Sequence, residues 1–265
     1  MGLAFGWRRA LAGAAAAVAG CAFGATSTFA ADPLGSGPAC RGGGQAIALP
    51  ATALALRQSR PLRIVAIGSS STEGVGAREP GNAYPARLEA DLRTLLPGRE
   101  IVVVNKGIGG EDVVEMMARF ERDVVAEQPD LVIWQVASNA MMRGVPAERV
   151  GAEISRGLAR IREIGADALL MTPQYAPRIN GVGQREKMLS LLTALARIEG
   201  AALFPRYEIM QDWREGQALP FAAFLTEDGL HLNDWGYACT ARLLSAQIGR
   251  AVVSAPVQTA GGARR

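Results

Sequence analysis

Five short apolar runs, each followed by a stretch of helical period, constrain the fold of this 265-residue chain more than any other feature. Leu62 to Ile67, Ile101 to Asn105, Leu131 to Val136, Ala168 to Met171 and Ala201 to Phe204 are aliphatic almost throughout and lack a polar alternation. Strands that read this way are covered on both faces. Leu88, Leu92, Leu95 and Leu96 predict a helix over Asn82 to Leu96, stopped by Pro97-Gly98. Val150, Ile154, Leu158 and Ile161 predict another over Pro146 to Ile164, and Asp112 to Glu127, Gly183 to Ile198 and Asp234 to Val252 are helical as well. Alternating strands and helices imply a parallel sheet with right-handed crossovers. The expected fold class is α/β, a three-layer α/β/α arrangement of flavodoxin-like type with strand order 2-1-3-4-5.

Composition bounds the rest. With 49% hydrophobic and 20% charged residues, one large domain is expected over residues 46–253. The net charge of +3 is spread without a basic run, apart from Arg264-Arg265, so no nucleic-acid partner is expected. A single histidine, His231, excludes a His-rich metal site, and the three cysteines have no zinc spacing.

Residues 1–31 read as an export signal: Arg8-Arg9, then an apolar stretch from Ala10 to Ala19 that is short for a bilayer, then small residues. An uncleaved anchor is the competing reading. Thr28-Phe29-Ala30 suits a general signal peptidase, Val18-Ala19-Gly20-Cys21 resembles a lipoprotein box that would lipidate Cys21, and Arg8-Arg9 faintly resembles a twin-arginine signal. The protein is therefore expected to be periplasmic or secreted, touching membrane only through a lipid on Cys21. Residues 32–45, rich in glycine and proline, read as a flexible linker, and residues 254–265 as a disordered tail. Cys40 and Cys239 are left as a pair; a bridge and two unrelated thiols are equally open on sequence alone.

In a parallel sheet the carboxyl ends of all strands share one rim, where open α/β sheets bind ligands. The first run breaks at Gly68 into Ser69-Ser70-Ser71-Thr72-Glu73-Gly74, the second at Gly107-Ile108-Gly109-Gly110, the third at Ser138-Asn139. Asp228-Gly229-Leu230-His231 precedes the last helix. A hydroxyl nucleophile needs a base, a carboxylate to orient the base, and donors for an oxyanion. Each type is present once in these turns. Taken singly they have plainer explanations: a serine after a strand commonly caps a helix, Gly109-Gly110 is a tight turn, and asparagine favours turns.

Together the four blocks resemble the SGNH subgroup of the GDSL esterase/lipase superfamily, over Leu62 to Arg250. The resemblance implies Ser70, Asp228 and His231 as catalytic residues, with Ser70, Gly110 and Asn139 forming the oxyanion hole. It implies no metal or organic cofactor. Ser69 stands where the family usually has aspartate, Ala137 where it has glycine, and Ala140 where it has aspartate. The implied activity is hydrolysis of acyl or acetyl esters, small-molecule or glycan-linked, through an acyl-enzyme. Alternatives are acyl transfer to, or deacetylation of, an envelope glycan, and a catalytically idle envelope-binding domain. Trp213 and Trp235 are read as buried or as lining an acyl or sugar pocket.

Overall fold

The computed structural model describes residues 1–2, 38–43 and 45–253. The expected signal segment, the first half of the expected linker and the expected tail lie outside the described residues.

The sheet has five parallel strands: β1 (Leu62–Gly68), β2 (Ile101–Gly107), β3 (Leu131–Gln135), β4 (Asp167–Met171) and β5 (Ala202–Phe204). Their order is β2-β1-β3-β4-β5, as the apolar runs predict. Gly68 is paired with Gly107, Gln135 with Met171, and Met171 with Phe204, so the strand ends share one rim. Ile64, Val65, Ala66 and Ile67 of β1, and all of β3, are buried. Each large aliphatic side chain among them contributes about 1.5–3 kcal/mol by leaving water.

In chain order the helices are α1 (Pro50–Arg57), α2 (Ser70–Glu73), α3 (Tyr84–Leu95), α4 (Val113–Ala118), α5 (Phe120–Asp123) and α6 (Ser138–Met142), then α7 (Ala147–Glu163), α8 (Pro177–Asn180), α9 (Arg185–Glu199), α10 (Arg206–Gln211) and α11 (Asp234–Val253). Helices α1, α3 and α11 cover one face of the sheet, and α4, α7 and α9 the other. No helix among the described residues is long and apolar enough to cross a membrane.

Four features depart from the sequence reading. The helix expected over Asp112 to Glu127 breaks at Arg119, whose backbone leaves the helical region (φ −109°, ψ 7°) as its guanidinium turns inward to Glu111, Asp123 and the Gly68 carbonyl. Ser138 and Asn139 open helix α6 rather than forming a turn, because Ala137 makes the reversal alone with φ +74°. Helix α1 is capped from afar: Asp167 accepts from Ala51 N, Thr52 N and Thr52 Oγ1 at 3.2, 2.8 and 2.8 Å.

The fourth concerns the described residues of the expected linker, 38–43 and 45, several of which are bonded to the domain. Pro38 and Arg41 carbonyls accept from the indoles of Trp235 (3.1 Å) and Trp213 (2.8 Å), and the Gln45 carbonyl accepts from Gln247 (2.9 Å). Cys40 and Cys239 form a disulfide, with Cα atoms 5.4 Å apart. Both tryptophans are buried, which leaves neither to line a substrate pocket.

Candidate active site

The serine turn is shaped by what cannot fit beside it. A Cβ on Gly68 would stand 2.2 Å from Thr72 Oγ1 and 2.8 Å from Gln135 Oε1, so only glycine ends β1 here. Ser69 occupies the N-cap position of α2 without a side-chain cap bond, and Ser70 is the first helical residue. The Ser70 N–H thus belongs to the helix start, where amides have no partner within the helix.

The histidine loop reaches this turn from before α11. His231 Nε2 lies 2.9 Å from Ser70 Oγ, and His231 Nδ1 lies 2.5 Å from Asp228 Oδ2. The other Asp228 oxygen accepts from Thr226 Oγ1, Leu230 N and His231 N at 2.7, 2.9 and 3.0 Å. Burial raises the Asp228 pKa, but bonds from the His231 amide, the imidazole, Thr226 and Leu230 outweigh it and hold the carboxyl well below the usual carboxylate range. Gly229 supports the tight loop with φ +66°. Asp234, the other aspartate of the region, instead pairs with Arg78.

The second and third blocks meet beside Ser70. A Cβ on Gly109 would stand 3.9 Å from Ser70 Cβ, and Gly110, with φ +80°, continues the turn. Arg143 donates to the Gly110 carbonyl at 2.5 Å, while a capping box of Asp112 and Glu115 pins the start of α4 directly behind. Asn139 Nδ2 donates to the Glu111 carbonyl at 2.7 Å. A side-chain amide has two hydrogens, so one remains for another acceptor. The structure therefore brings Ser70, Asp228 and His231 into one hydrogen-bonded line and ties Asn139 to the Gly110-Glu111 turn.

Several buried polar residues escaped the sequence reading. Gln135 accepts from Ser69 N and Oγ, and Gln174 contacts Ser138, Leu230 and Arg206. Arg206 is fully buried, and desolvation pushes its pKa down to about 10, still protonated at neutral pH. A glutamine ending an apolar run was the available signal; Arg206 follows the shortest strand and gave none.

Between the loops after β4 and β5 lies an open cleft of about 600 Å³, lined by Tyr175, Pro177, Asn180, Arg214, Glu215 and Phe221 among others. Pro177 adjoins Gly229, and Arg178 N donates to the Gly229 carbonyl at 3.3 Å, so the cleft borders the histidine loop. Tyr175 and Phe221 are stacked with centroids 5.9 Å apart. Among the described residues, no three His, Cys, Asp or Glu side chains gather as a metal site requires.

A parallel five-stranded sheet with its serine, glycine, asparagine and histidine turns on one rim defines an SGNH-type hydrolase architecture. The sequence model of the Non-GDSL lipase-like family matches residues 43–254, and the chain belongs to that family. The Gly68-Ser69-Ser70 sequence, without the aspartate, suits the family's description. An arylesterase from Vibrio mimicus is 23% identical over 154 residues, covering 56% of this chain and 73% of the relative. An acetylxylan esterase from Geobacillus stearothermophilus is 38% identical over 77 residues, 29% of this chain and 35% of the relative.

The crystal structure of an acetylxylan esterase from the same organism shares the fold, with TM-score 0.59, 23% identity, and coverage of 72% of this chain and 94% of that one. Catalytic mutants of that esterase replace a serine, an aspartate or a histidine by alanine. A G-D-S-L family lipolytic protein from Desulfitobacterium hafniense aligns with TM-score 0.60 at 21% identity, covering 70% and 98%. The chain is an ester-hydrolysing enzyme.

Proposed function

We propose that the chain is an exported serine esterase that cleaves acyl esters, acetyl esters among them, with Ser70 as nucleophile, His231 as base and Asp228 as its orienting carboxylate. The observation that carries this reading is the continuous line Ser70 Oγ, His231 Nε2, His231 Nδ1, Asp228 Oδ2, with contacts of 2.9 and 2.5 Å. His231 Nε2 takes the hydroxyl proton as Oγ bonds to the ester carbon and the carbonyl electrons move to oxygen. The Ser70 and Gly110 amides and the second Asn139 amide hydrogen receive that oxyanion, and one such donor is worth about 3 kcal/mol. Collapse breaks the bond to the alcohol, which leaves with the proton held on His231. Water, deprotonated by the same imidazole, then adds to the acyl carbon, and collapse breaks the bond to Ser70 Oγ, which takes back the proton from His231 as the acid leaves.

Because His231 hands its proton to the departing alcohol, the alcohol part must lie on the histidine side of Ser70. The cleft along Pro177 borders the Gly229 turn on that side and is assigned to it. The arylesterase and acetylxylan esterase among the relatives support a ring-bearing alcohol, aryl or sugar. The Cys40–Cys239 disulfide supports an oxidising compartment.

Purified protein is expected to hydrolyse p-nitrophenyl acetate, and Ser70→Ala and His231→Ala to lose about a thousandfold or more of kcat/KM. Turnover undiminished in folded Ser70→Ala would remove the assignment. A panel of phenyl acetate, acetylated xylooligosaccharide and ethyl acetate reads the alcohol preference.

A further inference from the structure

Beneath the triad, a second line of hydrogen bonds joins the serine turn to the histidine loop through side chains that the proposed chemistry does not use. Ser69 N and Oγ donate to Gln135 Oε1 at 2.9 and 3.0 Å. Gln135 Nε2 lies 3.4 Å from Ser138 Oγ, which lies 3.0 Å from Gln174 Oε1. Gln174 Oε1 also accepts from Arg206 Nη2 at 3.0 Å, and Gln174 Nε2 donates to the Leu230 carbonyl at 3.2 Å. Ser69 immediately precedes Ser70, and Leu230 immediately precedes His231.

The protons in this line have one arrangement. A backbone amide only donates, so Ser69 N fixes Oε1 of Gln135 toward the serine turn. A carbonyl only accepts, so Leu230 O fixes Nε2 of Gln174 toward the histidine loop. The Ser138 hydroxyl is left to accept from Gln135 and donate to Gln174, and Arg206, which only donates, agrees with that orientation. Water does not loosen the line, since Gln135 and Arg206 are 0% exposed and Ser69, Ser138 and Gln174 are 2%, 4% and 2% exposed. Arg206 brings a buried cation with no carboxylate among its hydrogen-bond partners in the described residues; its Nε is held by the Thr172 carbonyl at 3.1 Å, and its Nη1 has no partner there. Stability alone gives little reason to keep such a group, since apolar residues of similar size serve as well or better.

We propose that Gln135, Ser138, Gln174 and Arg206 are positioning residues that set the distance between Ser70 Oγ and His231 Nε2, by tying the amide of Ser69 to the carbonyl of Leu230. The proposal rests on the reading of Ser70 as nucleophile and His231 as base. A reacting pair displaced by an ångström loses up to about a hundredfold in rate.

The test uses the full chain and two variants. Gln174→Glu keeps the shape, keeps an acceptor for Ser138 and gives Arg206 a carboxylate, but removes the donor to Leu230. Ser138→Ala removes the middle link at small structural cost. For both, kcat on p-nitrophenyl acetate is expected to fall roughly 10- to 100-fold, with KM within about twofold of the parent and the melting temperature of Gln174→Glu retained. The rate at which a fluorophosphonate labels Ser70 is expected to fall in parallel. Parent-like kcat and labelling rate in either folded variant overturns the positioning role, and Ser138→Ala decides alone should Gln174→Glu not fold. If the parent is not labelled at Ser70, the reading beneath the proposal fails instead, and the two failures are distinguishable.

Discussion

Ala137 holds a left-handed backbone (φ +74°, ψ −15°) between the end of β3 and the helix that carries Asn139. That conformation costs an alanine about 1–2 kcal/mol, against about 0.4–1 kcal/mol of extra unfolded-state entropy for glycine. Ala137→Gly is therefore expected to stabilise the fold by up to about 1 kcal/mol, read as a melting temperature higher by about 2 °C. Asp228 gives a prediction in pH. A depressed carboxylate contributes stability that is complete above the unfolded aspartate range, about 3.9, and is lost as pH falls through the folded value. The melting-temperature gap between the parent and Asp228→Asn is expected to be full at neutral pH and to shrink steadily as the pH falls below about 4. A gap that stays constant across acid titration would contradict the bonding described for that carboxylate.

At the scale of elements, the sheet and the helix covering β3 are coupled by a close approach. A Cβ on Gly157 of α7 would stand 2.2 Å from Trp134, which is fully buried and further fixed by Met116 and by Phe120, whose ring centroid is 5.3 Å away. Gly157→Ala gains about 1 kcal/mol in helix propensity but overpacks a rigid indole, and a net loss of about 1–2 kcal/mol is expected by denaturant unfolding. The strands and long helices were legible because burial on two faces writes apolar runs and helical periods into the sequence. Short elements carry no period: α2 and α6, which open with Ser70 and Ser138, are four and five residues long. Helix α1 was illegible for another reason, since Asp167, its cap, lies 115 residues from Thr52. The residues of the proposed triad were readable from their blocks, whereas Gln135, Gln174 and Arg206 bond to partners that only the folded sheet brings near.

At the scale of the whole molecule, the Cys40–Cys239 bridge ties the segment before α1 to the last helix across 199 positions. Cross-linking so long a loop restricts the unfolded chain strongly, and replacing both cysteines by serine is expected to lower stability by about 3–5 kcal/mol in urea unfolding. Reduction of the parent is expected to match the double variant, which separates the bridge from any packing effect of serine. The bridge also has a topological effect. Ser70, Gly110, Asn139, Asp228 and His231 all fall between the two cysteines. The residues proposed for catalysis are thus enclosed in one covalent ring, and a protease that nicks any loop within it leaves two pieces still joined, released from each other only when a reductant opens the ring.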